Sequence, residues 1–504
     1  MDFAMPSFPV LFSFVVFLLF MVLKIGKRSK TNDRNLNLPP GPWKLPIIGN
    51  LHQLVGSLPH HRLRDLAVKY GPFMHLQLGE LSTIIVTSPE LAKEVMKTHD
   101  VTFASRPYNL AAHILSYNSN DIAFSPYGDY WRQLRKICIL EVLSTKRVQS
   151  FQYIREEEVS NLINRIASKA GSPINLTEKI YSLTNSITSR AAFGKKCEDR
   201  EKFLAVLKES TESAGGFTIA DVFPSLEGLM QWISGIRTKL EKLHKEHDKI
   251  LENIINEHRK GTSEFGKSDE NEDLVDVLLK IQEDGDGEFR LAANSMKALI
   301  WDVFSAGSET SATAIDWAMS ELVKNPKAMK KAQAEVREVC NRNGKVDEMG
   351  VKDMMFLKLV IKETMRLHPP LPLLLPRECR DRCEIMGYEI PVKTKVFINA
   401  WAIGRDPKYW SEPESFIPDR FLDSSIDYKG TNFEYLPFGS GRRICPGIPF
   451  GVANVELPLA MLLYHFDWKL PNESKHEDLN MTETFGVTVR RGEDLYAIPI
   501  PYHP

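Results

Sequence analysis

The sequence is poor in cysteine, and its few thiols show no pairing. Six cysteines are spread over 504 residues without a repeated spacing. This argues against a disulfide framework and favours a reducing compartment. Cys379 and Cys383 are spaced like half of a metal site, but no second pair of cysteines or histidines follows them. We therefore interpret both as ordinary structural thiols.

The chain also lacks an excess of charge of either sign. Its 64 basic and 65 acidic residues give a formal net charge of −1, so no global basic field indicates nucleic acid as a partner. No internal repeat is present, and no Gly-x-Gly-x-x-Gly sequence follows a strand to bind a dinucleotide. A nucleic-acid-binding protein and a dinucleotide-binding domain are therefore not expected.

What the chain does have is one long apolar run near its N-terminus. Residues Pro6–Leu23 carry no charge and come close to the ~20 residues that span a bilayer. Basic residues follow at once, between Lys24 and Lys30, and such flanks stay on the cytosolic side. A cleaved signal peptide is the alternative, but this segment lacks the basic n-region and the small-residue cleavage site of a signal peptide. We predict a single-pass anchor at 1–24.

The remaining sequence reads as a short linker followed by one large domain. Residues 25–44 are basic and rich in proline, which is typical of a semi-rigid spacer. From about 90 to 370 apolar residues recur with helical spacing, whereas short β segments dominate the rest. We predict a mainly α fold with small β-sheet regions over 45–504.

Several local patterns predict particular elements. The two runs on either side of Gly79-Glu80 predict a β-hairpin. Ser88 followed by Pro89 predicts a helix start, and a long helix is predicted at about 294–324. The tail from Glu483 onwards predicts a final hairpin.

The segment "PFGSGRRICPG" combines a lone thiol, Cys445, with three glycines and two arginines. Pro446 suits the first turn of the apolar helix that follows, and a helix N-terminus lowers the pKa of a thiol. The glycines would admit a bulky flat group, and the arginines would meet anions. A nucleophile, a zinc ligand, a haem ligand and a buried structural cysteine all fit this pattern.

Several segments of the chain resemble the motifs of a known protein family. "FGSGRRICPG" resembles the haem-binding signature of the cytochrome P450 family at every fixed position, namely Phe438, Gly441, Arg443, Cys445 and Gly447. Other segments resemble family motifs in the family's order along the chain: "WRQLRK", "AGSET", "KETMR" and "FIPDRF". In the last of these Asp419 stands where Glu is commoner. The resemblance covers essentially the whole chain and is closest to plant microsomal members that oxidise terpenoids, alkaloids and phenolics.

The resemblance implies a set of residues around haem b (iron protoporphyrin IX). Cys445 would be the iron ligand, and the haem propionates would meet Trp131, Arg135, Arg377 and Arg443. A salt-bridged cluster behind the haem would consist of Glu363, Arg366 and Arg420.

The resemblance also implies catalytic and substrate-contacting residues. Gly and clustered Ser/Thr are poor helix formers, yet they interrupt the long apolar helix around Thr310, and such a local violation often marks function. Thr310 and Glu309 would handle the protons of oxygen activation. Substrate contacts would include Ser305, Ala306, Leu373, Thr484 and Phe485, and the apolar character of these regions favours a lipophilic ligand.

The implied activity is that of a haem-thiolate monooxygenase in the endoplasmic reticulum membrane, with its catalytic domain in the cytosol. It would hydroxylate or epoxidise a small lipophilic plant metabolite, foremost a sesquiterpenoid or diterpenoid, using O2. Its electrons would come from NADPH through a separate NADPH-cytochrome P450 reductase. Membrane lipid is an expected partner and nucleic acid is not. Alkaloid or phenolic oxidation, O2-independent rearrangement on the same fold, and a haem sensor or carrier remain alternatives.

Overall fold

A computed structural model describes most of the chain. The described residues are 36–194, 205–207, 209–210, 219–226, 228, 235–262, 272–283, 291–344, 347–473 and 475–503. The predicted anchor at 1–24 lies outside them, as does the first part of the linker up to residue 35. Within these ranges, no helix combines the length and apolar character needed to cross a bilayer.

Helices form most of the described structure, as predicted. Those of nine or more residues are α1 (Pro59–Tyr70), α2 (Asp129–Ile137), α3 (Gln152–Ala167), α4 (Leu176–Phe193), α5 (Ile236–Thr262), α6 (Leu274–Glu283), α7 (Ala293–Lys324), α8 (Pro326–Asn343), α9 (Met355–Leu367) and α10 (Ile448–His465). Shorter helices lie at Pro89–Lys93, Leu110–Leu115, Thr145–Ser150, Ile219–Val222, Glu348–Val351 and Ala400–Ile403.

The strands form four small sheets. They are β1 (Phe73–Leu78), β2 (Leu81–Val86), β3 (Ile174–Asn175), β4 (Arg377–Glu378), β5 (Cys383–Ile385), β6 (Tyr388–Ile390), β7 (Lys395–Ile398), β8 (Phe466–Lys469), β9 (Glu483–Thr484), β10 (Arg490–Arg491) and β11 (Tyr496–Pro501). The largest sheet has the order β1-β2-β7-β4, in which only the β2–β7 pair is parallel. The others are β3-β11-β8, β5-β6 and β9-β10, all antiparallel.

Helix α7 runs through the core and packs against α4 and α10. It is buried over Ser295–Trp301 and again over Ser311–Val323, polar residues included. This burial makes α7 the central element against which the other helices pack. It also brings the middle of the chain into reach of the Cys445 segment, which leads into α10.

Several local predictions are confirmed. β1 and β2 form the expected hairpin, with Leu78 opposite Leu81 across the Gly79-Glu80 turn. Ser88 caps the following helix, because its Oγ accepts a hydrogen bond from the N–H of Leu91 at 3.4 Å. The long helix predicted at about 294–324 is α7.

The prediction of a hairpin from Glu483 onwards is only partly confirmed. β9 pairs with β10, as the pattern predicts. β11 instead joins β3 and β8 in a separate sheet. The reason is that β8 and β3 both expose an edge to β11, which becomes the central strand of three. Such long-range pairing has no local sequence signal.

Candidate cofactor and substrate site

The Cys445 segment reaches α10 through a tight loop. A 3-10 turn covers Gly441–Arg443, and the backbone N–H of Cys445 donates to the carbonyl of Phe438 at 3.0 Å. Helix α10 begins only at Ile448, and Pro449 rather than Pro446 occupies its first turn. Cys445 therefore lies just before the helix rather than within its first turn.

The surroundings of the Cys445 sulfur act in opposite directions on its acidity. Burial raises the pKa of the thiol, whereas the N–H of Gly447 and the charge of Arg135 lower it. Burial outweighs the other two, so the prediction of a lowered thiol pKa is wrong. A metal ion bound to the sulfur would deprotonate it outright, and the Gly447 N–H and Arg135 would then stabilise the thiolate.

Gly441 holds this loop against the protein itself. Its φ of +70° suits glycine, and a Cβ at this position would lie 2.1 Å from the carbonyl oxygen of Met96. The next residue, Arg442, donates its backbone N–H to Asp100 at 3.0 Å. Gly441 therefore allows a close contact with the backbone of Met96, rather than the approach of a flat ligand that was expected.

Four arginines converge beside this loop. They are Arg106, Arg135, Arg377 and Arg443, and each pKa is lowered first by burial. For Arg443 the value falls to about 9, with Arg377 as the next cause. Buried like charges are costly unless anions neutralise them.

Protein anions supply only part of that neutralisation. Asp100 pairs with Arg377 at 3.3 Å, and Asp121 lowers the repulsion at Arg443 and Arg106. Guanidinium groups bind carboxylates well. The donor set thus fits a cofactor with one thiolate-binding metal and two carboxylates, as haem b has.

Arg443 and Trp131 are in direct contact in this cluster. The guanidinium carbon lies 4.1 Å from the centre of the indole ring. Arg443 donates to the carbonyls of Ala104 and Ile122 at 2.6 and 3.2 Å, and the indole N–H of Trp131 donates to Ile122 at 3.0 Å. The indole N–H of Trp131, which was expected to meet a propionate, is therefore occupied by the backbone.

Arg106 was not predicted as a member of this cluster. It follows the buried residues Phe103 and Ala104 and donates to the carbonyls of Leu375 and Pro376 at 2.9 and 2.8 Å. An arginine within such an apolar stretch is a sequence signal for a buried, paired cation.

The middle of α7 presents an open face. Phe304 and Ser308 are 2% and 1% exposed, whereas Ala306 between them is exposed and Thr310 is partly so. Ala306 and Thr310 share one helix face, because they are four residues apart, and the Thr310 hydroxyl donates to the Ala306 carbonyl at 2.7 Å. A gap in the packing of a central helix is consistent with space for a cofactor and a substrate.

Glu309 points to a different neighbour. Its carboxylate accepts a hydrogen bond from the Thr488 hydroxyl at 2.6 Å. Among the described residues, no hydrogen bond joins its carboxylate to Thr310. Gly307 allows close packing rather than an opened helix, because a Cβ there would lie 3.0 Å from the ring of Phe450.

The predicted ion cluster is assembled around one buried carboxylate. Glu363 binds Arg366 at 2.7 and 2.9 Å and Arg420 at 2.9 Å. The backbone N–H of Ile417 donates to the same carboxylate at 2.8 Å. Asp419 takes no part, since it pairs with Lys331 at the surface.

A cavity of about 190 Å³ is lined by residues of α7, of Leu371–Pro376 and of Phe485–Val487. Ser305, Leu373 and Phe485 line it, as predicted for substrate contacts. Ala306 and Thr484 do not line it, and Thr484 is exposed on β9. Asp121 also lines it and falls in the stretch 101–122, which the family resemblance marks for substrate contacts, whereas the polar lining groups Asp302 and Lys395 were not predicted.

Comparison with known proteins yields a consistent result. The cytochrome P450 family profile matches residues 39–495. The chain is 56% identical to desmethyl-deoxy-podophyllotoxin synthase of Sinopodophyllum hexandrum, covering 99% of this chain and 97% of that protein. It is 54% identical to premnaspirodiene oxygenase of Hyoscyamus muticus, covering 98% of each.

A solved structure supports the same fold. The chain aligns with a zebra fish cytochrome P450 determined with progesterone, with a TM-score of 0.75. The alignment covers 88% of this chain and all of that one, at 24% identity. A fold match at this identity carries no information about substrate.

Proposed function

The chain belongs to the cytochrome P450 family, and on this premise we propose that it hydroxylates or epoxidises a sesquiterpenoid or diterpenoid. The family makes it a haem-dependent monooxygenase with haem b as its cofactor. The substrate class is supported by the likeness to premnaspirodiene oxygenase and by the apolar cavity wall at Leu371–Pro376.

The residues that would hold the haem are those that converge around Cys445. The Cys445 thiolate would bind the iron, and the half-buried Arg135 and the buried Arg377 and Arg443 would neutralise the propionates, with Arg106 beside them. When bound, a thiolate-ligated haem supplies the oxygen-activating chemistry. Trp131 would support Arg443 by stacking.

The chain's own contribution to the reaction is orientation and proton handling. The apolar walls of the cavity would exclude water and orient the substrate by shape. Thr310 would hold a proton at its hydroxyl, which the Ala306 carbonyl orients at 2.7 Å. Glu309, kept in place by Thr488, would serve as the carboxyl group that replenishes protons.

The Glu363 cluster would act indirectly, as a structural support. Arg366 also binds the carbonyls of Gly404 and Pro413 at 2.6 and 2.7 Å. These bonds join α9 to the segment that precedes the Cys445 loop. The cluster would therefore keep the loop in position without touching the substrate.

Electrons would arrive from NADPH through a separate NADPH-cytochrome P450 reductase, docked near the Cys445 side. The proposed arrangement is an anchor at 1–24, a linker at 25–44 and a catalytic domain at 45–504. The anchor would hold the enzyme in the endoplasmic reticulum membrane with its catalytic domain in the cytosol. Lipophilic substrate could then enter from the membrane lipid.

The observation that carries the proposal is the partly exposed Ala306–Thr310 face within a buried helix. The test is turnover by the haem-loaded enzyme with reductase and isotopically labelled O2, on a panel of sesquiterpenes, diterpenes, alkaloids and phenolics. The expected result is an NADPH-dependent terpenoid product with one labelled oxygen. An unlabelled isomer would indicate O2-independent rearrangement, and labelled alkaloid products alone would contradict the substrate class.

A further inference from the structure

Two acidic side chains lie at the wall of the otherwise mostly apolar cavity. Asp302 is on α7, one turn before Ala306, and Asp121 belongs to the segment before α2. Neither belongs to the family motifs identified in the sequence. An acid in such a wall is costly unless something offsets its burial, so each group needs a partner.

Asp302 is only half satisfied by the protein. Its Oδ2 accepts hydrogen bonds from the backbone N–H groups of Ile122 and Ala123 at 2.9 and 3.2 Å. No described residue forms a hydrogen bond with Oδ1, yet this atom is not among the buried polar atoms that lack a partner. The residue is partly exposed and lines the cavity. Oδ1 is therefore accessible from the cavity.

Asp121 is fully buried and lies close enough to Asp302 for the two carboxyl groups to interact. Its Oδ1 accepts a hydrogen bond from the N–H of Phe124 at 3.0 Å, and its Oδ2 is buried and has no hydrogen-bond partner among the described residues. Burial raises the pKa of Asp121 to about 6. Burial and then the nearby Asp121 raise the pKa of Asp302 well above the usual aspartate range. Of two close carboxyl groups, one is kept as the neutral acid; here that is Asp302, whereas Asp121 remains the anion beside the arginines.

The other groups at the cavity narrow the choice of ligand. Lys395 lines the same cavity and is a cation, although burial lowers its pKa. The positive charge of Lys395 would repel an ammonium ligand in the same cavity. Such a ligand would also need an ionised carboxylate at Asp302. A hydroxyl group has no such requirement, because it donates to a carboxylate and accepts from a carboxylic acid.

We propose that Asp302 is a specificity-determining residue whose free carboxyl oxygen binds a hydroxyl group of the substrate. The preferred substrate is then a terpenoid alcohol rather than a terpene hydrocarbon or an amine. This inference rests on the proposed function for the substrate skeleton. Ile122 and Ala123 orient the carboxyl group through their N–H groups, which leaves one oxygen for the ligand.

The test measures binding rather than turnover. Dissociation constants of the haem-loaded enzyme are determined by equilibrium dialysis for a sesquiterpene hydrocarbon, its alcohol and its amine. The alcohol is expected to bind about tenfold more tightly than the hydrocarbon, as one buried hydrogen bond allows. Equal binding of alcohol and hydrocarbon, or tighter binding of the amine, overturns the proposal.

Variants of Asp302 distinguish a role in binding the substrate hydroxyl from a role in holding the backbone of Ile122 and Ala123. Asp302→Ala should reduce the alcohol-to-hydrocarbon ratio to near one, whereas Asp302→Asn, which can accept the same two N–H bonds and still donate, should retain it. A merely structural Asp302 would weaken both ligands equally and leave the ratio unchanged, which overturns the proposal. Asp316→Asn is the matched control, because this buried acid on the same helix binds Thr177 at 2.6 Å and does not line the cavity.

A second readout applies even where Asp302→Ala does not fold. Difference infrared spectra of the wild type are recorded on adding the alcohol and the hydrocarbon. A carboxyl band that shifts with the alcohol only, and is missing in Asp302→Asn, is expected. No band, or the same band in Asp302→Asn, overturns the proposal. Because neither measurement uses NADPH or reductase, binding without turnover would contradict the proposed monooxygenase reaction and leave this inference standing.

Discussion

Arg366 and Glu363 form two hydrogen bonds of 2.7 and 2.9 Å, with both side chains closed to solvent. Arg420 binds the same carboxylate at 2.9 Å. Two guanidinium groups therefore share one buried anion. Such a cluster is stabilising only while it is complete, because removal of one member leaves the other charges buried and unpaired.

Glu363→Ala is expected to destabilise the fold strongly. It strands Arg366 and Arg420 in the core, which costs about 3–5 kcal/mol. The free energy of unfolding is measured from urea titrations followed by circular dichroism. Asp353→Asn is the control, because its pair with Arg342 is exposed and 3.5 Å long and should contribute less than about 1 kcal/mol. A similar loss in both variants would contradict the buried-cluster account.

Gly441→Ala tests the packing of the cysteine loop. Its control is Gly344→Ala, since Gly344 has nearly the same φ, +72°, but no atom within 4 Å of the added Cβ. Gly344→Ala should cost about 1–2 kcal/mol from backbone strain alone. Gly441→Ala should cost more and should lower the haem content, because the Cβ clashes with Met96. Equal stability and full haem loading in both would refute the close-contact explanation.

Thr310→Ala is expected to separate NADPH consumption from product formation. Without the hydroxyl held at the Ala306 carbonyl, proton delivery is lost, and product per NADPH should fall by roughly tenfold or more. Product and peroxide are quantified against NADPH in the same reaction. Thr310→Ser keeps the hydroxyl and should restore most of the yield; an unchanged yield in Thr310→Ala would exclude this role.

His247→Phe tests a buried histidine on α5. Its ring stacks on Trp301 with centroids 4.4 Å apart, and neither ring nitrogen has a hydrogen-bond partner in the part of the chain that the structure describes. Burial, followed by the charge of His244, lowers its pKa from 6.5 to about 3. Between these values the unfolded chain binds the proton and the folded chain does not, so stability falls as the pH decreases from 6.5 towards 3.

The phenylalanine variant removes this titration. The difference in unfolding free energy between variant and wild type should therefore grow in the variant's favour by a few kcal/mol across this pH range. Urea unfolding at a series of pH values measures it. His503→Phe, at an exposed position, should follow the wild type, and a pH-independent difference for His247→Phe would contradict the assigned cause.

The sequence predicted those features that have local signals. The Gly79-Glu80 hairpin, the Ser88 cap and α7 follow from turn chemistry and periodicity. The family resemblance led to Cys445 and its arginines, which the fold brings together from distant segments.

Non-local features escaped prediction. The place of β11 between β3 and β8 depends on edges far away in sequence. The half-satisfied carboxyl of Asp302 depends on the backbone of Ile122, which no motif reports. The thiol pKa was misjudged because burial, a tertiary property, outweighs the local helix end.

The absorption spectrum of the reduced protein with carbon monoxide tests the central claim most directly, namely that the Cys445 thiolate binds haem iron. The wild type should absorb at the long-wavelength position of thiolate-ligated haem, and Cys445→Ala should not. Cys383→Ala, which removes another partly exposed thiol, should keep the wild-type maximum. A wild-type maximum at the position of imidazole-ligated haem, or a thiolate maximum that persists in Cys445→Ala, would contradict the account.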